Sequence, residues 1–199
     1  INTCLLADGT PYTSKENWET ETFYEECQNR DARLAQIIRV PGYMREGKTA
    51  LPDYGGYARL GYQPLKFCVD GTEGDTQSKN VNALPLFRYA EVLLMYAEAC
   101  YETGDETEAR WALKKVRDRV SLPEVTSTGT ALRDAIRAER RLELACEFNR
   151  LYDIRRWTDD NGKKAICNIM GQNGSFVRYN TQTSTDQYET TNMGERQDK

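Results

Sequence analysis

The sequence predicts a mainly α-helical protein, in which tetratricopeptide-like helical hairpins are joined to a loop-rich region with short strands. Three observations support this fold class. Residues 85–157 carry apolar side chains at helical spacing, in segments separated by turn residues. Residues 1–84 are interrupted by proline and glycine, and their apolar stretches have the length of strands. Residues 158–199 are polar and are expected to form a surface segment.

The central part begins with two helices joined by a tight turn. In "LPLFRYAEVLLMYAEACYETGD", Pro85 suits a first helical turn, and apolar residues recur at positions 86, 89, 90, 93, 96, 97 and 100. Gly104 predicts the end of this helix, and Asp105 is placed to cap the next one, "ETEARWALKKVRDRV". Small alanines on facing sides of two such helices are typical of a tetratricopeptide hairpin. One hairpin is clear, which does not establish a repeat array.

The loop-rich part is expected to hold one or two helical turns and short strands. In "NWETETFYEECQNRDARLAQII", Phe23, Cys27 and Leu34 fall on one side of a helical turn. The stretches "RLAQIIRV" and "PLKFCV" have strand-like lengths. In the polar C-terminal part, "SFVRY" predicts one further strand.

The composition excludes several classes of function. The chain has no histidine, which excludes a Ser-His-Asp triad, a Cys-His pair and any histidine-bearing metal site within it. A net charge of −4 disfavours a broad nucleic-acid-binding surface. No apolar run approaches the roughly 18 residues of a membrane span, and no signal peptide is recognised.

The cysteines do not point to a metal site. Six cysteines are scattered without a CxxC pair, which argues against zinc and against a dense disulfide scaffold. Cys100 and Cys146 lie among apolar helix residues, so we expect them to be buried thiols. No cofactor is predicted.

A third helix is predicted to start after Thr130 and to carry a charged stretch, "ERRLELACEFNRLYDIRRW" (residues 139–157), which allows three interpretations. Its carboxylates could serve acid–base or metal chemistry, its arginines could face nucleic acid, or both could form a structural ion network. Neighbouring guanidinium groups keep carboxylates ionised, and metal-binding bundles usually add histidine, so the sequence favours the structural network and no catalytic residue. Its predicted members are Glu139, Arg140, Glu143, Glu147, Arg150, Asp153 and Arg156. The apolar residues expected to anchor it are Leu142, Ala145, Cys146, Tyr152 and Trp157.

Aromatic residues of the loop-rich part offer another chemistry. Trp18, Tyr24, Tyr43, Tyr54, Tyr57 and Tyr62 lie in or beside Gly/Pro-rich loops. Flat rings on loops can stack on the C–H face of a sugar, while polar neighbours bond its hydroxyls. The same tyrosines could instead pack on the helical core, and composition alone favours that alternative.

Four stretches of the central part resemble, in order and spacing, the C-terminal signature of the SusD/RagB family. They are "RYAEVLLMYAEA" (88–99), "LKKVRDR" (113–119), "IRAERRLELACE" (136–147) and "RLYDIRRW" (150–157). "LADGTPYT" and "DARL" are also similar to family segments, with alanine in place of the usual proline in the second. The chain departs from the pattern at Phe148, where glycine is usual, and the family's lipobox, N-terminal helices and closing segment are not found in it. It resembles a C-terminal portion.

The resemblance implies a surface-exposed outer-membrane lipoprotein that is not an enzyme and that contacts the membrane only through a lipid anchor absent from this chain. Such a protein captures nutrient polysaccharide or oligosaccharide and hands it to a TonB-dependent, SusC-like transporter. By loop position and chemistry, the candidate glycan-binding residues are Trp18, Tyr43, Tyr54 and Tyr57.

Two other functions remain open. One is a helical protein-interaction module, or a peptide-binding RagB-like protein, without glycan binding. The other is a two-acid glycoside hydrolase, whose carboxylates would come from outside the arginine-rich stretch, for instance Asp8, Asp53 and Asp70. If the charged stretch is structural, Glu147→Ala or Arg150→Ala should harm folding more than ligand binding.

Overall fold

The structure is a computed structural model that describes residues 1–50, 62–67, 83, 85–166, 175–179 and 188–192. Within these residues the chain is mainly helical, as predicted. The helices are α1 (Phe23–Glu26), α2 (Leu34–Ile37), α3 (Tyr89–Glu102), α4 (Glu106–Asp118), α5 (Gly129–Glu143) and α6 (Arg150–Arg156), with 3₁₀ turns at Tyr12–Ser14 and Trp18–Thr20. Two antiparallel hairpins pair β1 (Met44–Arg45) with β2 (Lys48–Thr49), and β3 (Ser175–Tyr179) with β4 (Tyr188–Asn192). The strand predicted in "SFVRY" is β3.

The turn between α3 and α4 follows its prediction. Gly104 has a φ of +86°, a left-handed conformation that favours glycine and ends α3. The Asp105 side chain then accepts a hydrogen bond from the backbone N–H of Glu108 at 3.1 Å and caps α4. The two helices pack against each other and against α5. The main core consists of Leu93, Leu94, Ala97, Cys100, Ala109, Ala112, Leu113, Val116, Leu132, Ile136 and Leu144.

The start of α3 differs from the prediction. The helix begins at Tyr89 rather than near Pro85, because Arg88 is extended (φ −129°, ψ 145°) and its side chain reaches Glu143 and Glu147. Phe87, ahead of the helix, is 84% exposed. The buried stripe of α3 is rotated toward Leu94, so that Tyr89 and Tyr96, predicted to face the core, lie at its exposed edge.

A short helix replaces the strand predicted in "RLAQIIRV". The Asp31 carboxylate accepts a hydrogen bond from the backbone N–H of Arg33 at 3.0 Å, which begins a helical turn, and α2 follows. Ile38 then forms a single β-bridge with Pro64. A second core cluster joins the loop-rich part to α5 through Leu142, and contains Cys4, Phe23, Leu34 and Ile38 besides. Cys27 packs against this cluster, so the predicted apolar grouping of Phe23, Cys27 and Leu34 is confirmed.

The charged stretch is not one continuous helix. Helix α5 ends at Glu143 and α6 begins at Arg150, since Cys146 and Phe148 both have a φ of +64°, which a right-handed helix cannot continue. Glu147 therefore does not extend the helical stripe of Glu139 and Glu143. The break also exposes side chains that a continuous helix was expected to bury.

Two of the predicted anchors are wrong for this reason: Cys146 is exposed rather than buried, and Tyr152 is 71% exposed. Leu142 and Trp157 are buried as expected, and Cys100 is a buried free thiol.

Candidate functional site

A buried arginine outside the charged stretch, Arg33, connects the carboxylates of α5. Its side chain is 2% exposed and pairs with Asp31 (Nη2 to Oδ2, 2.7 Å), with Glu143 (Nη1 to Oε2, 3.0 Å) and with Glu139. Position 33 lies in "DARL", and Asp31 starts the turn that presents the guanidinium. The carboxylates of α5 are thus paired mainly with arginines from other segments of the chain.

Further cations extend this group of ion pairs, which we call the α5 network. Its members are Asp31, Arg33, Lys66, Arg88, Arg117, Arg119, Glu139, Glu143 and Glu147. Arg117 of α4 binds Glu139 at 2.9 Å. Arg119 and Arg88 bind Glu143 at 2.7 and 2.9 Å. Glu147 accepts a hydrogen bond from Arg88 Nε at 2.7 Å and pairs with Lys66.

The network keeps Glu143 ionised. Burial by itself would raise the pKa of Glu143, but hydrogen bonds from Arg88 and Arg33 and the nearby charge of Arg119 outweigh it and lower that pKa. A general acid needs the opposite shift, a pKa raised toward neutrality. This geometry suits a fixed ionic scaffold, which remains our interpretation of these residues.

A second cluster of charges joins α6 to α3. Asp153 accepts hydrogen bonds from Arg140 Nε at 2.8 Å and from Arg156 Nη2 at 2.9 Å. Arg156 also binds Glu98 of α3, which receives the indole N–H of Trp157 at 2.8 Å. The pKa of Glu98 would rise through burial, but these hydrogen bonds lower it.

Arg150 does not take the place predicted for it. Within the described residues no carboxylate forms a close ion pair with it, although the charge of Asp153 acts on it at longer range, and its guanidinium lies 5.5 Å from the centre of the Trp157 ring. Burial and the nearby charge of Arg141 lower the pKa of Arg150. The predicted pairing of Arg150 with the carboxylates of the stretch is therefore wrong.

Sequence reasoning missed several members of the two ion clusters, although most of them lie in the segments that carried the resemblance. The missed members are Asp31, Arg33, Lys66, Arg88, Glu98, Arg117 and Arg119. The charged residues within "DARL", "RYAE" and "VRDR" were the sequence signal that could have pointed to these members. Their pairing depends on contacts between distant segments.

The loop-rich part forms an open cavity of about 440 Å³, which we call the loop cavity. It is lined by Leu6, Ala7, Asp8, Lys15, Gln28 and Asn29. The backbone N–H of Ala7 donates to the carbonyl of Asn29 at 2.8 Å and holds the two walls together. Thr10 donates to Asp8 from its hydroxyl and its backbone N–H, at 2.7 and 2.9 Å, and these bonds lower the pKa of the Asp8 carboxyl. The cavity thus presents an ionised carboxylate and two amides.

Trp18 begins the 3₁₀ turn that follows Lys15, a residue of the cavity lining, along the chain. Its ring meets Tyr12 edge to face, with ring centres 5.8 Å apart, and the Tyr12 hydroxyl donates to Glu21 at 2.7 Å. Glu21 in turn pairs with Lys15, which lines the cavity. Trp18 is half-buried, so part of its ring stays open to solvent.

The other aromatic candidates are placed differently. Tyr43 is half-buried just before β1, and the Arg39 guanidinium lies 5.3 Å from the centre of its ring. Tyr54 and Tyr57 lie outside the described residues. Tyr62 packs on the second core cluster, and its hydroxyl donates to Glu26 at 2.9 Å, as the core-packing alternative expects. Tyr24 is 56% exposed on α1.

The described residues contain no group of three or more side chains arranged to hold a metal ion. Among the same residues, every helix is too short or too polar to cross a membrane.

Comparison with known proteins identifies the family. The sequence profile of the SusD family matches residues 1–199. The chain belongs to the SusD family. In curated proteins, this SusD-family chain is 42% identical over 82 residues to SusD-like protein P38 of Formosa agariphila, covering 36% of the chain and 16% of P38. It is 35% identical over 120 residues to SusD-like protein P2 of the same organism, covering 55% of the chain and 22% of P2.

Solved structures of two Bacteroides fragilis NCTC 9343 proteins share the fold of this SusD-family chain. A SusD-like protein matches with a TM-score of 0.71 and 27% identity, covering 98% of this chain and 40% of that one. A SusD-like carbohydrate binding protein matches with a TM-score of 0.67 and 25% identity, covering 92% of this chain and 38% of that one. The chain thus spans about two fifths of the length of these solved relatives and less of the curated ones.

Proposed function

We propose that this SusD-family chain belongs to a non-catalytic protein that captures nutrient polysaccharide or oligosaccharide at the outer-membrane surface. The captured glycan would pass to a TonB-dependent, SusC-like transporter, and a lipid anchor outside this chain would hold the protein to the membrane. The observation that carries the proposal is family membership over residues 1–199, together with a solved relative that is a SusD-like carbohydrate binding protein.

The loop cavity supplies suitable chemistry for a sugar. Asp8 accepts hydrogen bonds, and the amides of Gln28 and Asn29 both donate and accept them, which matches the hydroxyl groups of a pyranose ring. Leu6 and Ala7 give an apolar wall. The exposed part of the Trp18 ring, three residues after Lys15 of the lining, offers a surface on which a sugar ring can stack. A few such contacts give Kd values of about 10⁻⁵–10⁻³ M, or roughly 4–7 kcal/mol. Weak binding suits a protein that must release its ligand.

Hydrolysis is disfavoured by the state of the carboxylates. A glycoside hydrolase needs one carboxylic acid with a raised pKa to protonate the leaving oxygen. The hydrogen bonds from Thr10 lower the pKa of Asp8 instead, and Glu143 is held ionised by its arginines. Asp53 and Asp70, the other acids considered, lie outside the described residues.

Calorimetric titration of the intact protein against a panel of soluble polysaccharides tests the proposal. Trp18→Ala should weaken binding about tenfold, the effect of losing roughly 1.4 kcal/mol of stacking. Tyr43→Ala, Tyr54→Ala and Tyr57→Ala test the remaining candidates. Trp111→Ala is the matched control, because Trp111 is an exposed tryptophan on α4, outside the loop-rich part. Absence of binding to every glycan by a properly folded protein would contradict the proposal.

A protein-interaction role is the second candidate, and one surface favours it. Helix α3 exposes an apolar face formed by Tyr89, Val92, Met95 and Tyr96, each at least 44% exposed. The partner we assign to it is the SusC-like transporter. Co-purification of the two proteins should be lost in a Val92→Ser/Met95→Ser variant and retained in Trp18→Ala. Glycan binding should show the reverse pattern, which separates the two functions.

A further inference from the structure

A second cavity, of about 210 Å³, opens beside the α5 network. It is lined by Arg33, Gln36, Ile37, Lys66, Arg88, Arg119, Leu142 and Glu143. Four of these side chains are cationic, and Glu143 is the carboxylate among them. The cavity therefore has an electropositive wall in a chain whose net charge is −4.

The ion pairs beside this cavity do not cancel. In the described part of the chain, the connected cations are Arg33, Lys66, Arg88, Arg117 and Arg119, and the connected carboxylates are Asp31, Glu139, Glu143 and Glu147. Five cations thus face four carboxylates. One positive charge is left without a counterion inside the network, and an anion at the cavity would balance it.

The excess charge is available at Arg119. Arg33 and Arg88 use all three of their guanidinium nitrogens in hydrogen bonds to Asp31, Glu139, Glu143 and Glu147. Arg119 uses Nη2 alone, toward Glu143 at 2.7 Å, and within the described residues its Nε and Nη1 have no acceptor. The Arg119 side chain is 48% exposed, so these two donors can reach a ligand.

The remaining lining fits a sugar ring attached to that anion. Ile37 and Leu142 provide an apolar surface for the C–H face of the ring, and the exposed Gln36 amide can bond hydroxyls. Lys66 donates to the carbonyl of Glu143 at 2.8 Å and pairs with Glu147, which leaves the third ammonium hydrogen for a ligand. The volume is on the scale of one monosaccharide.

We propose that this cavity is a subsite for an acidic sugar, whose carboxylate or sulfate group binds Arg119 and Lys66. The inference rests on the proposed function and narrows its substrate class to glycans that carry anionic residues. Binding through charge-assisted hydrogen bonds discriminates against neutral sugars, which cannot balance the excess charge of the network.

Titration of the intact protein, followed by NMR of the Ile37 and Leu142 methyl groups, tests the subsite. The probes are glucuronate, glucose 6-sulfate, glucose and inorganic sulfate. Glucuronate or glucose 6-sulfate should shift these methyl signals, glucose should not, and binding should weaken as salt rises. The response to each acidic probe shows whether a carboxylate, a sulfate ester or both are accepted. A response to inorganic sulfate equal to that of both acidic sugars would overturn the sugar assignment.

Arginine variants locate the site. Arg119→Gln should weaken binding of the acidic sugar about tenfold, since a charge-assisted hydrogen bond contributes roughly 1.5–3 kcal/mol. Arg119→Lys should restore part of the affinity. Arg155→Gln is the matched control, because Arg155 is an exposed arginine of α6 outside the α5 network. Glu143 retains Arg33 and Arg88 in the Arg119 variants, so the fold should persist, as circular dichroism can verify.

The outcomes separate the subsite from the proposed function. Unchanged binding of acidic sugar in Arg119→Gln, or equal binding of glucose and glucuronate, overturns the subsite even if neutral glycans bind elsewhere. Conversely, glucuronate binding through Arg119 in a protein that binds no polysaccharide supports the anion site and contradicts glycan capture.

Discussion

Replacing Glu143 by glutamine removes the charge at the centre of the α5 network while keeping the size of the side chain. Glu143 is 3% exposed and accepts hydrogen bonds from Arg33, Arg88 and Arg119 at 3.0, 2.9 and 2.7 Å. A glutamine amide provides one oxygen for three guanidinium groups and turns an N–H₂ toward the others. The variant therefore leaves cations without a counterion in a buried position.

The expected loss in the free energy of unfolding depends on how well water can hydrate each arginine that loses its carboxylate partner. Removing one partner of a buried ion pair costs about 3–5 kcal/mol. Arg33 is 2% exposed and cannot recover hydration, whereas Arg88 and Arg119 are 26% and 48% exposed and partly can. We therefore expect the lower end, a loss of about 3 kcal/mol in the free energy of unfolding. At roughly 2–4 °C per kcal/mol for a chain of this size, Tm should fall by about 6–12 °C.

Urea and thermal unfolding followed by circular dichroism at 222 nm measure this loss. Asp118→Asn is the matched control, because it breaks the exposed Lys114–Asp118 pair of α4 and should leave the free energy of unfolding nearly unchanged. The pH dependence adds a second readout. The fold lowers the pKa of Glu143, so its contribution is present above the unfolded value of about 4.3 and is lost as pH falls through the folded pKa. The gap between wild type and Glu143→Gln should therefore be widest at neutral pH and close in acid.

A Glu143→Gln protein within about 1 kcal/mol of wild type at pH 7 would refute the claim that the network stabilises the fold. A stability gap that stays constant from pH 7 to pH 3 would show that the loss comes from packing rather than from charge.

Three other substitutions test separate parts of the structure. Phe148→Gly should raise the free energy of unfolding by about 0.5–1 kcal/mol, and with it the urea midpoint, because Phe148 has a φ of +64° and an exposed ring. An unchanged midpoint would contradict backbone strain at Phe148. Glu147→Ala should lower the free energy of unfolding by about 2 kcal/mol, because it removes two ion pairs. Arg150→Ala should lower it by only about 0.5–1 kcal/mol, because it removes the contact with Trp157. A larger loss in Arg150→Ala than in Glu147→Ala would contradict these contacts. Gly9→Ala should cost about 2 kcal/mol in thermal unfolding, because Gly9 has a φ of +86° and a Cβ would lie 2.8 Å from Pro123 Cγ; a neutral result would rule out this close approach.

Local patterns predicted the helical hairpin but not the details of its surface. Gly104 and Asp105 act through contacts within a few residues, so their roles in ending α3 and capping α4 are visible in sequence. The face that α3 buries was predicted less well. Periodicity places an apolar stripe, but packing against α4 and α5 selects Leu94 over Tyr89.

The candidate sites were harder to predict than the hairpin. Loop position singled out Trp18, which contacts Tyr12 and is connected through Glu21 to Lys15 of the loop cavity, but nothing local revealed the cavity itself. Its two walls come from residues 6–8 and 28–29, whose segments are joined by backbone hydrogen bonds from Ala7 to Asn29 and from Asp31 to Leu5. Cavities of this kind depend on the meeting of loops, for which sequence spacing carries no signal.

The sequence by itself determined the helical class, the family and the excess of arginine over carboxylate in the charged stretch. These properties depend on periodicity, motif order and the local excess of arginine beside glutamate, all of which are local in the chain. The tertiary structure alone decided which charges pair. Arg33 reaches Glu139 and Glu143 across more than a hundred residues, and the break at Cys146 and Phe148 sends Glu147 to Arg88 and Lys66. Ion pairs form between charged groups that are close in space, and the fold brings these groups together by placing α2, α3 and α4 near α5.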